Sequence, residues 1–370
     1  MEKQPLYILC FREIIRNYNF GGRWIPESFD KPGLPVEGRV AETWEVCDRP
    51  GESNVVTNGP LAGKTLHELI GSYEEQLLGS GIVKRSGMRF PLLIKLLDAT
   101  YPLGEQAHHD NELAKRKGLE DPGKTEAWYM LRTRPGATVR CGNIDAVDKR
   151  KIENAIVDGT IKECMKEYRV NPGDGFLLYA GTMHYSPGGV LFYEIMQNSD
   201  VFIALKDFGN RMTEEQRRIF AKESLEGVHI ENEFECKVVP LILRENKMQR
   251  QFIFASEYFV LERLDIKGTC ILPCDGTAFF VLTTIDGVAE ITDDHGSVTL
   301  RSGQSCLVPA CSGNVEIRQD TGFILKAYVP DLMADIIRPL RKKGFDDHAI
   351  ELLGGKTVLN PLTGLLRQSR

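Results

Sequence analysis

The sequence predicts a mainly β protein made of two β-barrel domains, with helices inserted into the first. Three observations favour this class. Short apolar or alternating segments are separated by Gly and Pro turns, as in a sandwich or jelly roll. Helical patterns lie only between such segments. After residue 233, turn dipeptides recur about every ten residues, which predicts a second, smaller barrel.

Length and composition fit two soluble globular domains with an apolar core. The chain has 370 residues, of which 42% are hydrophobic and 26% charged, with a net charge of −6. This mild acidity disfavours nucleic-acid binding. We expect no membrane span, because no apolar run approaches ~18 residues. The N-terminus lacks a secretory signal, and the nine cysteines form no framework, so we expect buried thiols in a reducing cytoplasm.

These patterns divide the chain into four parts. We expect a metal-binding catalytic domain with helical insertions over residues 1–212 and a connector over 213–233. A smaller barrel without a metal site is predicted over 234–330. Residues 331–370 form a C-terminal extension.

The first third of the chain supplies two strands and a helix. Val40–Val46 alternates like a half-buried strand, and Leu66–Leu78 has the apolar spacing of a helix capped by Thr65. Phe90–Asp98 is apolar on both faces except for Lys95. A lysine in such a strand needs a partner or a cavity.

The middle of the chain alternates helices with short strands. Asp110–Lys117 predicts a short helix. Residues 146–168 predict two helices, split at Asp158-Gly159, the second opened by a capping box at Thr160. Strands are expected at four further places: Trp128–Leu131, Ala137–Arg140, Phe176–Tyr179 and Val190–Met196.

The last third is mostly strand. Thr213–Gly227 is polar and predicts a connecting helix, and turns such as Asp275-Gly276 and Asp286-Gly287 divide the segments that follow. In the tail a short helix is plausible up to Ile337, stopped by Pro339, and the remainder carries no motif.

Four side chains have the character of a catalytic metal site. Gln106 and His108 are two residues apart, so on one strand they face the same side, while Ala107 faces the other. Glu126 and His184 each lie beside a turn, where a ligand can be aimed inward. Three or four protein ligands leave a coordination position open, as in catalytic sites. We expect one divalent metal, Zn²⁺, on these four residues.

The same segments carry a resemblance to a known family. PLLIKLLDA, QAHHDNELA, GKTEAWY and PGD…AGTMH, together with GGRW, ETWE and NGPLAGKTLHEL, resemble the bacterial short form of the type I mannose-6-phosphate isomerase (phosphomannose isomerase) family. The resemblance spans about residues 10–330. It implies two cupin domains, one zinc ion in the first, and interconversion of an aldose and a ketose. By position, the implied zinc ligands are Gln106, His108, Glu126 and His184.

The implied mechanism is proton transfer through an enediol, with the metal as Lewis acid. Glu194, on the strand after His184, is the candidate base, because burial in a dry barrel raises a carboxylate pKa. It could instead pair with Lys95 and only shape the pocket. Lys124 and Lys95 are candidate donors to the sugar oxygens, and Asp200 occupies a family carboxylate position.

Several positions depart from the family pattern. Gly104 stands where the family has a serine at the substrate phosphate, Glu105 replaces an aliphatic residue, and His109 replaces a proline. The position of the family's catalytic arginine falls on Ala204, and the nearby Lys206 and Arg211 do not match it. A phosphate needs cations and donors. We therefore expect a substrate that is unphosphorylated or held in another register, contacted by Lys95, Glu105, His109 and Asp200.

Two other functions stay open on the sequence. The chain could be a sugar-binding or regulatory homologue that lost turnover with Ala204, or a metal-dependent cupin oxygenase, which usually has iron and a His-rich shell. The second barrel has Cys311-Ser-Gly-Asn314 where a metal-binding cupin places histidine, so we expect a structural domain. The expected partner is a small sugar or sugar phosphate, with no nucleic acid and no membrane, in a monomer or homodimer.

Overall fold

The computed structural model describes residues 4–207, 212–231, 234–245 and 247–369. Most regular structure in these residues is strand, and all paired strands are antiparallel. The helices are short insertions or belong to the tail. Among the described residues, no helix combines the length and the apolar character that crossing a membrane requires.

Among the described residues before position 212, the structure contains fifteen strands. They are β1 (Leu9–Arg12), β2 (Ile14–Arg16), β3 (Glu42–Val46), β4 (Asp48–Arg49), β5 (Glu52–Ser53), β6 (Val55–Val56), β7 (Leu92–Ala99), β8 (Leu103–Ala107), β9 (Glu126–Thr133), β10 (Thr138–Asn143), β11 (Met165–Arg169), β12 (Gly175–Leu178), β13 (His184–Ser186), β14 (Val190–Gln197) and β15 (Ile203–Ala204).

The described part of the chain after residue 234 contains ten strands. They are β16 (Leu241–Glu245), β17 (Met248–Ala255), β18 (Val260–Ile266), β19 (Gly268–Pro273), β20 (Phe280–Asp286), β21 (Val288–Asp293), β22 (Gly296–Arg301), β23 (Ser305–Val308), β24 (Asn314–Gln319) and β25 (Phe323–Tyr328).

The α-helices are α1 (Trp24–Ser28), α2 (Leu66–Tyr73), α3 (Glu75–Leu78), α4 (Ser80–Ser86), α5 (Asn111–Arg116), α6 (Lys149–Val157), α7 (Glu214–Leu225), α8 (Arg338–Lys342), α9 (Asp347–Glu351) and α10 (Pro361–Gln368). Two 3-10 turns, Ile161–Cys164 and Leu352–Gly354, and one π-helical segment, Leu332–Ile337, complete the regular structure of the described residues.

Each half of the chain contains a larger and a smaller sheet. In the first half, the larger sheet has the order β12-β9-β14-β7-β3-β2 and the smaller β11-β10-β13-β8-β15. In the second, the larger sheet has the order β16-β17-β18-β25-β20-β23-β1-β6 and the smaller β19-β24-β21-β22. The sheets do not join into closed barrels. The predicted mainly β class with two jelly-roll domains is confirmed.

The two larger sheets pack against each other. Alternate residues of β7, such as Ile94 and Leu96, share an apolar cluster with Phe254 and Leu261 of the second half. Leu97, on the other face of β7, packs inside the first half. This explains why β7 is apolar on both faces, since one face looks into its own domain and the other meets the second domain.

Helix and strand ends follow the predicted signals in part. Thr65 caps α2 through a capping box: its hydroxyl accepts from the Glu68 backbone N–H (3.1 Å), and the Glu68 carboxylate accepts from the Thr65 N–H (2.8 Å). The single helix predicted over Leu66–Leu78 is wrong, because Glu74 has a φ of +49° and separates α2 from α3. The segment 40–46 is wholly buried rather than half-buried.

Two other predictions are wrong. The second helix predicted after α6 is only a four-residue 3-10 turn, Ile161–Cys164: Thr160 makes no side-chain cap, and the chain then forms β11, which pairs with β10 at the edge of the sheet. Pro339 does not stop the tail helix. It lies in the first turn of α8, where its missing N–H would have no helical partner.

The tail packs as part of the second half. Leu340, Ile350, Leu362 and Leu366 are buried in one apolar cluster with strands β17 to β25. Residues 331–369 therefore pack against the second jelly roll.

Candidate metal centre

Three of the predicted ligands meet in the first half. His108 follows β8, Glu126 begins β9 and His184 begins β13. His108 Nε2 lies 3.1 Å from Glu126 Oε2, and His184 Nε2 lies 3.3 Å from Glu126 Oε1. All three ligand atoms lie within 4.8 Å of one another, and all three residues are buried. Two neighbouring strands of the smaller sheet and one strand of the larger sheet thus bring together side chains that lie up to 76 positions apart in the sequence.

The turn before His184 is tied to His108. Gly181 has a φ of +86°, which favours glycine, and its N–H donates to the carbonyl of His108 (2.8 Å). The Gly-Thr-Met-His turn and the end of β8 are therefore held in one arrangement.

The cluster has the donor set and orientation of a metal site. His108 Nε2, His184 Nε2 and both carboxylate oxygens of Glu126 are buried without a hydrogen-bond partner. The other ring nitrogen of each histidine faces a backbone carbonyl, His108 Nδ1 at 2.9 Å from Val201 O and His184 Nδ1 at 3.0 Å from Thr182 O. A carbonyl only accepts, so each Nδ1 carries the proton and each Nε2 presents a lone pair. The three residues therefore fit a divalent cation.

Electrostatics keep these groups in the forms that bind metal. Burial, helped by the Lys124 charge, lowers the pKa of His108 to about 3, and burial also lowers the pKa of His184. Burial opposes ionisation of Glu126, but Lys124 and the two histidines outweigh it and hold that pKa well below its usual range. The cluster thus contains two neutral imidazoles and one carboxylate.

Gln106 lies on the predicted strand. It is opposite His184 of β13 and Ala204 of β15, and it is half-buried. Ala107 packs into an apolar cluster with Ile203, on the other side of β8. That Gln106 and His108 face the same side stays a prediction, since His108 lies just past the end of β8.

A row of buried charges and indoles crosses the larger sheet beside the cluster. Lys95 Nζ lies 3.2 Å from Glu42 Oε2 and 3.4 Å from Glu194 Oε2. Trp128 Nε1 donates to Glu194 Oε1 (2.9 Å), and Trp44 Nε1 donates to Glu42 Oε2 (2.6 Å). The Trp128 ring meets the His184 ring edge-on, with centroids 5.5 Å apart. Trp128 therefore connects Glu194 to the three-ligand cluster.

Glu194 titrates near neutrality in this setting. Burial and the negative charge of Glu126 raise the pKa of Glu194 to about 7, although Lys95 and Lys124 oppose the shift. Burial alone would lower the pKa of Lys95, but the carboxylates of Glu42 and Glu194 raise it. Lys124 is also buried, and its Nζ lies 3.2 Å from Glu126 Oε2.

The remaining predicted residues lie farther from the cluster. Glu105 is buried, with its carboxylate 3.6 Å from Lys206 Nζ, and it alternates with Gln106 along β8. Charged residues that flank α5 and α7 act on His109, whose pKa is lowered by burial and by Lys117. Asp200 is exposed, and its backbone N–H donates to Asp121 Oδ2 (2.9 Å). Arg211 lies outside the described residues.

Sequence reasoning missed Glu42, Trp44 and Trp128 as parts of the site. The available signal was an acid and an indole at alternate positions of one strand, Glu42 and Trp44. It showed that an acid and an indole share a strand, but not that this strand lies beside Lys95.

A cavity lies away from the three-ligand cluster. It measures about 790 Å³ and is lined by α4, α5 and the turn at Glu257-Tyr258. None of the three clustered residues lines it. The cluster is therefore identified by its ligand chemistry rather than by cavity size. Among the described residues, no second group of three possible metal-binding acids, histidines or cysteines was found.

Comparison with known proteins gives a consistent family. A model of the phosphomannose isomerase type I catalytic domain matches residues 13–127, and a model of the mannose-6-phosphate isomerase cupin domain matches residues 248–327. Together the two models cover more than half of the 370 residues.

Curated relatives match along most of their length. The chain is 28% identical, over 87% of its length and 98% of the relative's, to a Bacillus subtilis (strain 168) protein described as a probable mannose-6-phosphate isomerase. It is 27% identical to a mannose-6-phosphate isomerase of Streptococcus mutans, over 78% of this chain and 88% of that protein.

Solved structures support the fold. The mannose 6-phosphate isomerase from Bacillus subtilis aligns with a TM-score of 0.74 at 23% identity, covering 86% of this chain and 99% of that one. A variant of phosphomannose isomerase from Salmonella typhimurium aligns with a TM-score of 0.72 at 16% identity, covering 87% and 99%.

Proposed function

This chain belongs to the type I phosphomannose isomerase family and is an aldose–ketose isomerase, and we propose that it acts with one bound divalent metal through an enediol. The proposed substrate pair is mannose 6-phosphate and fructose 6-phosphate, or a related hexose without the phosphate. The observation that carries the proposal is the buried His108–Glu126–His184 cluster, whose ligand atoms make no hydrogen bond in the protein.

We assign the metal to four ligands and identify it as zinc. His108, Glu126 and His184 provide two nitrogens and a carboxylate, and Gln106, which lies opposite His184, is the proposed fourth ligand. Nitrogen and carboxylate ligands with an open position are typical of catalytic zinc. When bound, the ion supplies Lewis-acid polarisation of a sugar oxygen.

Glu194 is the proposed base. A base has to accept the proton next to the sugar carbonyl and return it to the neighbouring carbon. A pKa of about 7 suits that task, because the carboxylate accepts and releases a proton readily near neutral pH. The contacts with Lys95 and Trp128 hold its two oxygens in place. Glu194 therefore combines the two features that the sequence offered as alternatives: it pairs with Lys95, and its pKa is raised.

Lys124 is the proposed donor to the developing oxyanion. It is buried and stands beside Glu126, so its ammonium group faces the same space as the ligands. Lys95 and Asp200 are the proposed contacts to the sugar hydroxyls, since the negative charge of Asp200 helps to raise the pKa of Lys95. We keep Glu105 and His109 as proposed contributors at the edge of the site, because their side chains have other charged neighbours.

The residues near Ala204 bear on whether the sugar carries a phosphate at its terminal carbon. Ala204 lies opposite Gln106, next to the ligands, where the family pattern has an arginine. Lys206, two residues on, lies beside the Glu105 carboxylate. This arrangement offers a phosphate dianion fewer free cations than the family pattern does. We therefore propose that an unphosphorylated hexose is accepted at least as well as its 6-phosphate.

A substrate panel tests this proposal. Isomerisation of mannose 6-phosphate, free mannose and other aldohexoses is measured with the wild type and with Ala204→Arg. We expect the ratio of kcat/KM for the phosphorylated to the free sugar to rise in Ala204→Arg, because the new cation pairs with the phosphate. Efficient turnover of mannose 6-phosphate alone by the wild type would reject the unphosphorylated substrate. Turnover of no sugar in the panel would count against the isomerase.

The remaining proposals concern the cellular compartment, the binding partner and the oligomeric state. The nine cysteines are free in the structure, and free thiols fit a reducing cytoplasm, where we place the protein. We propose that its partner is the sugar substrate alone, and that the chain works as a monomer or homodimer.

A further inference from the structure

The larger sheets of the two halves repeat one strand order. β3-β7-β14-β9-β12 in the first half corresponds to β17-β18-β25-β20-β23 in the second. The last long strand of each half lies at the centre of this order. β14 lies between β7 and β9, and β25 lies between the corresponding strands β18 and β20. Residues at matching places on these strands therefore face matching interiors.

The buried charged row of the first half has a counterpart in the second. Strand register places Lys95 beside Glu194 in the first row, which reads Trp44, Lys95, Glu194, Trp128. Register places Glu262 beside Lys326 in the second row, which reads Phe252, Glu262, Lys326, Leu282. The acid and the lysine have exchanged strands, and an aromatic residue precedes the pair in both.

A cavity of about 360 Å³ lies over the second row. Phe252, Phe280 and Tyr328 provide aromatic walls. The tail closes the other side with Ala334 and residues of α8. The cavity is thus formed by the second jelly roll together with residues 334–343 of the C-terminal extension.

Lys326 is the charge that this cavity leaves unpaired. Among the described residues, no carboxylate forms an ion pair with its Nζ, which lies 4.3 Å from the centre of the Tyr328 ring and 5.1 Å from that of Phe280. Glu262, its neighbour, is completely buried and is already neutralised by the Arg250 guanidinium (2.8 and 3.0 Å) and the Tyr328 hydroxyl (2.8 Å).

The acids that line the cavity are also engaged. Lys343 Nζ binds Glu245 (3.1 Å), the Asp331 N–H donates to Asp335 (2.7 Å), and the Thr277 N–H donates to Asp275 (3.0 Å). Burial lowers the pKa of Lys326, as expected for a cation without a close counterion. Lys326 is half-buried at the cavity wall, and a cation partly removed from water in this way is better stabilised when an anion joins it.

We propose that this second-domain cavity binds a small organic anion, a phosphate monoester or a carboxylate, with the anionic group at Lys326 and an apolar body against Phe252 and Phe280. The ligand class follows from the unpaired cation and the aromatic walls. The site is a binding site. Unlike the first half, it has no cluster of metal-ligating residues among those described. The inference does not depend on the proposed isomerase activity.

Calorimetric titration of the full-length protein tests the site with three probes: inorganic phosphate, phenyl phosphate and benzoate. We expect phenyl phosphate, benzoate or both to bind about tenfold more tightly than inorganic phosphate, because only they carry an apolar body. The comparison of phenyl phosphate with benzoate distinguishes the two anionic groups. Binding of none of the three probes overturns the proposal.

Three variants separate this site from the first half. Lys326→Met keeps the length of the side chain but removes its charge, and it should weaken binding at least about tenfold. Lys267→Met is the matched control, because Lys267 is exposed and does not line the cavity. Equal binding by Lys326→Met and the wild type overturns the proposal. Should Lys326→Met not fold, Ala334→Trp decides, since a bulky side chain at the cavity wall should abolish binding and unchanged binding contradicts the site.

Discussion

Individual residues in the first-half site are distinguished by which of their atoms lack a partner. In His108 and His184 the Nδ1 atoms face backbone carbonyls, whereas the Nε2 atoms face Glu126 and are unpaired. The ring orientations are thus set by the fold before any ion binds. The hydrogen bonds of the Nδ1 atoms therefore hold both imidazole rings with their Nε2 atoms directed at Glu126.

Glu194→Gln tests the proposed base. The amide keeps the size of the side chain but cannot accept the proton, so kcat should fall by about 10²–10⁴. Metal content should not change, because Glu194 is not a proposed ligand. Glu215→Gln, on the exposed side of α7, is the matched control. A wild-type rate in Glu194→Gln would remove this residue from the mechanism.

The pH dependence of kcat follows from the same residue. Glu194 is a base only when ionised, and burial together with Glu126 raises its pKa to about 7, while Lys95 and Lys124 oppose the rise. Activity should therefore be present above about pH 7 and decline as the pH falls below it. Measurement of kcat from about pH 5 to pH 9 tests this fall in activity. A wild-type kcat that does not fall below pH 7 contradicts the assignment.

At the scale of elements, local patterns predicted most strands, because apolar alternation and Gly or Pro turns define them directly. β11 was missed, since residues 165–169 become a strand by pairing with the edge of β10, which is information about another part of the chain. The break between α2 and α3 depends on one positive φ, at Glu74, a non-glycine residue that gives no sequence signal.

The candidate site divides in the same way. His108, Glu126 and His184 were identified from residue type and nearby turns, and the structure brings them together. Glu42 and Trp44 were not identified, because their relevance arises from β3 lying beside β7. Packing between distant parts of the chain decides which strands become neighbours. The spacing of residues within one segment therefore does not predict that β3 lies beside β7.

The C-terminal extension gives a stability prediction. Leu362 of α10 is completely buried against the second jelly roll, so Leu362→Ala should lower the free energy of unfolding by about 2–5 kcal/mol. Val358 is 78% exposed, and Val358→Ala should change it by no more than about 0.5 kcal/mol. Urea unfolding measures both. Equal effects of the two substitutions would mean that the tail does not pack as described.

At the scale of the whole molecule, the two halves share structure. β1, from the N-terminus, pairs with β23 near the other end of the chain, with Leu9 opposite Leu307. The two larger sheets also bury one continuous apolar cluster between them. Separating the halves would expose this surface and leave β23 with an open edge.

The molecule should therefore unfold as one cooperative unit. Scanning calorimetry of the full chain should give a single transition whose calorimetric and van 't Hoff enthalpies agree. Two separated transitions would show that each half is stable without the other, and the shared cluster would then contribute little.

The central claim is that His108, Glu126 and His184 hold one divalent ion on which isomerisation depends. Metal analysis combined with activity, before and after chelation, tests it most directly. We predict about one ion per chain, loss of ion and activity together on chelation, recovery of both when Zn²⁺ is returned, and little bound ion in His184→Ala. Full isomerase activity in metal-free protein would contradict the account.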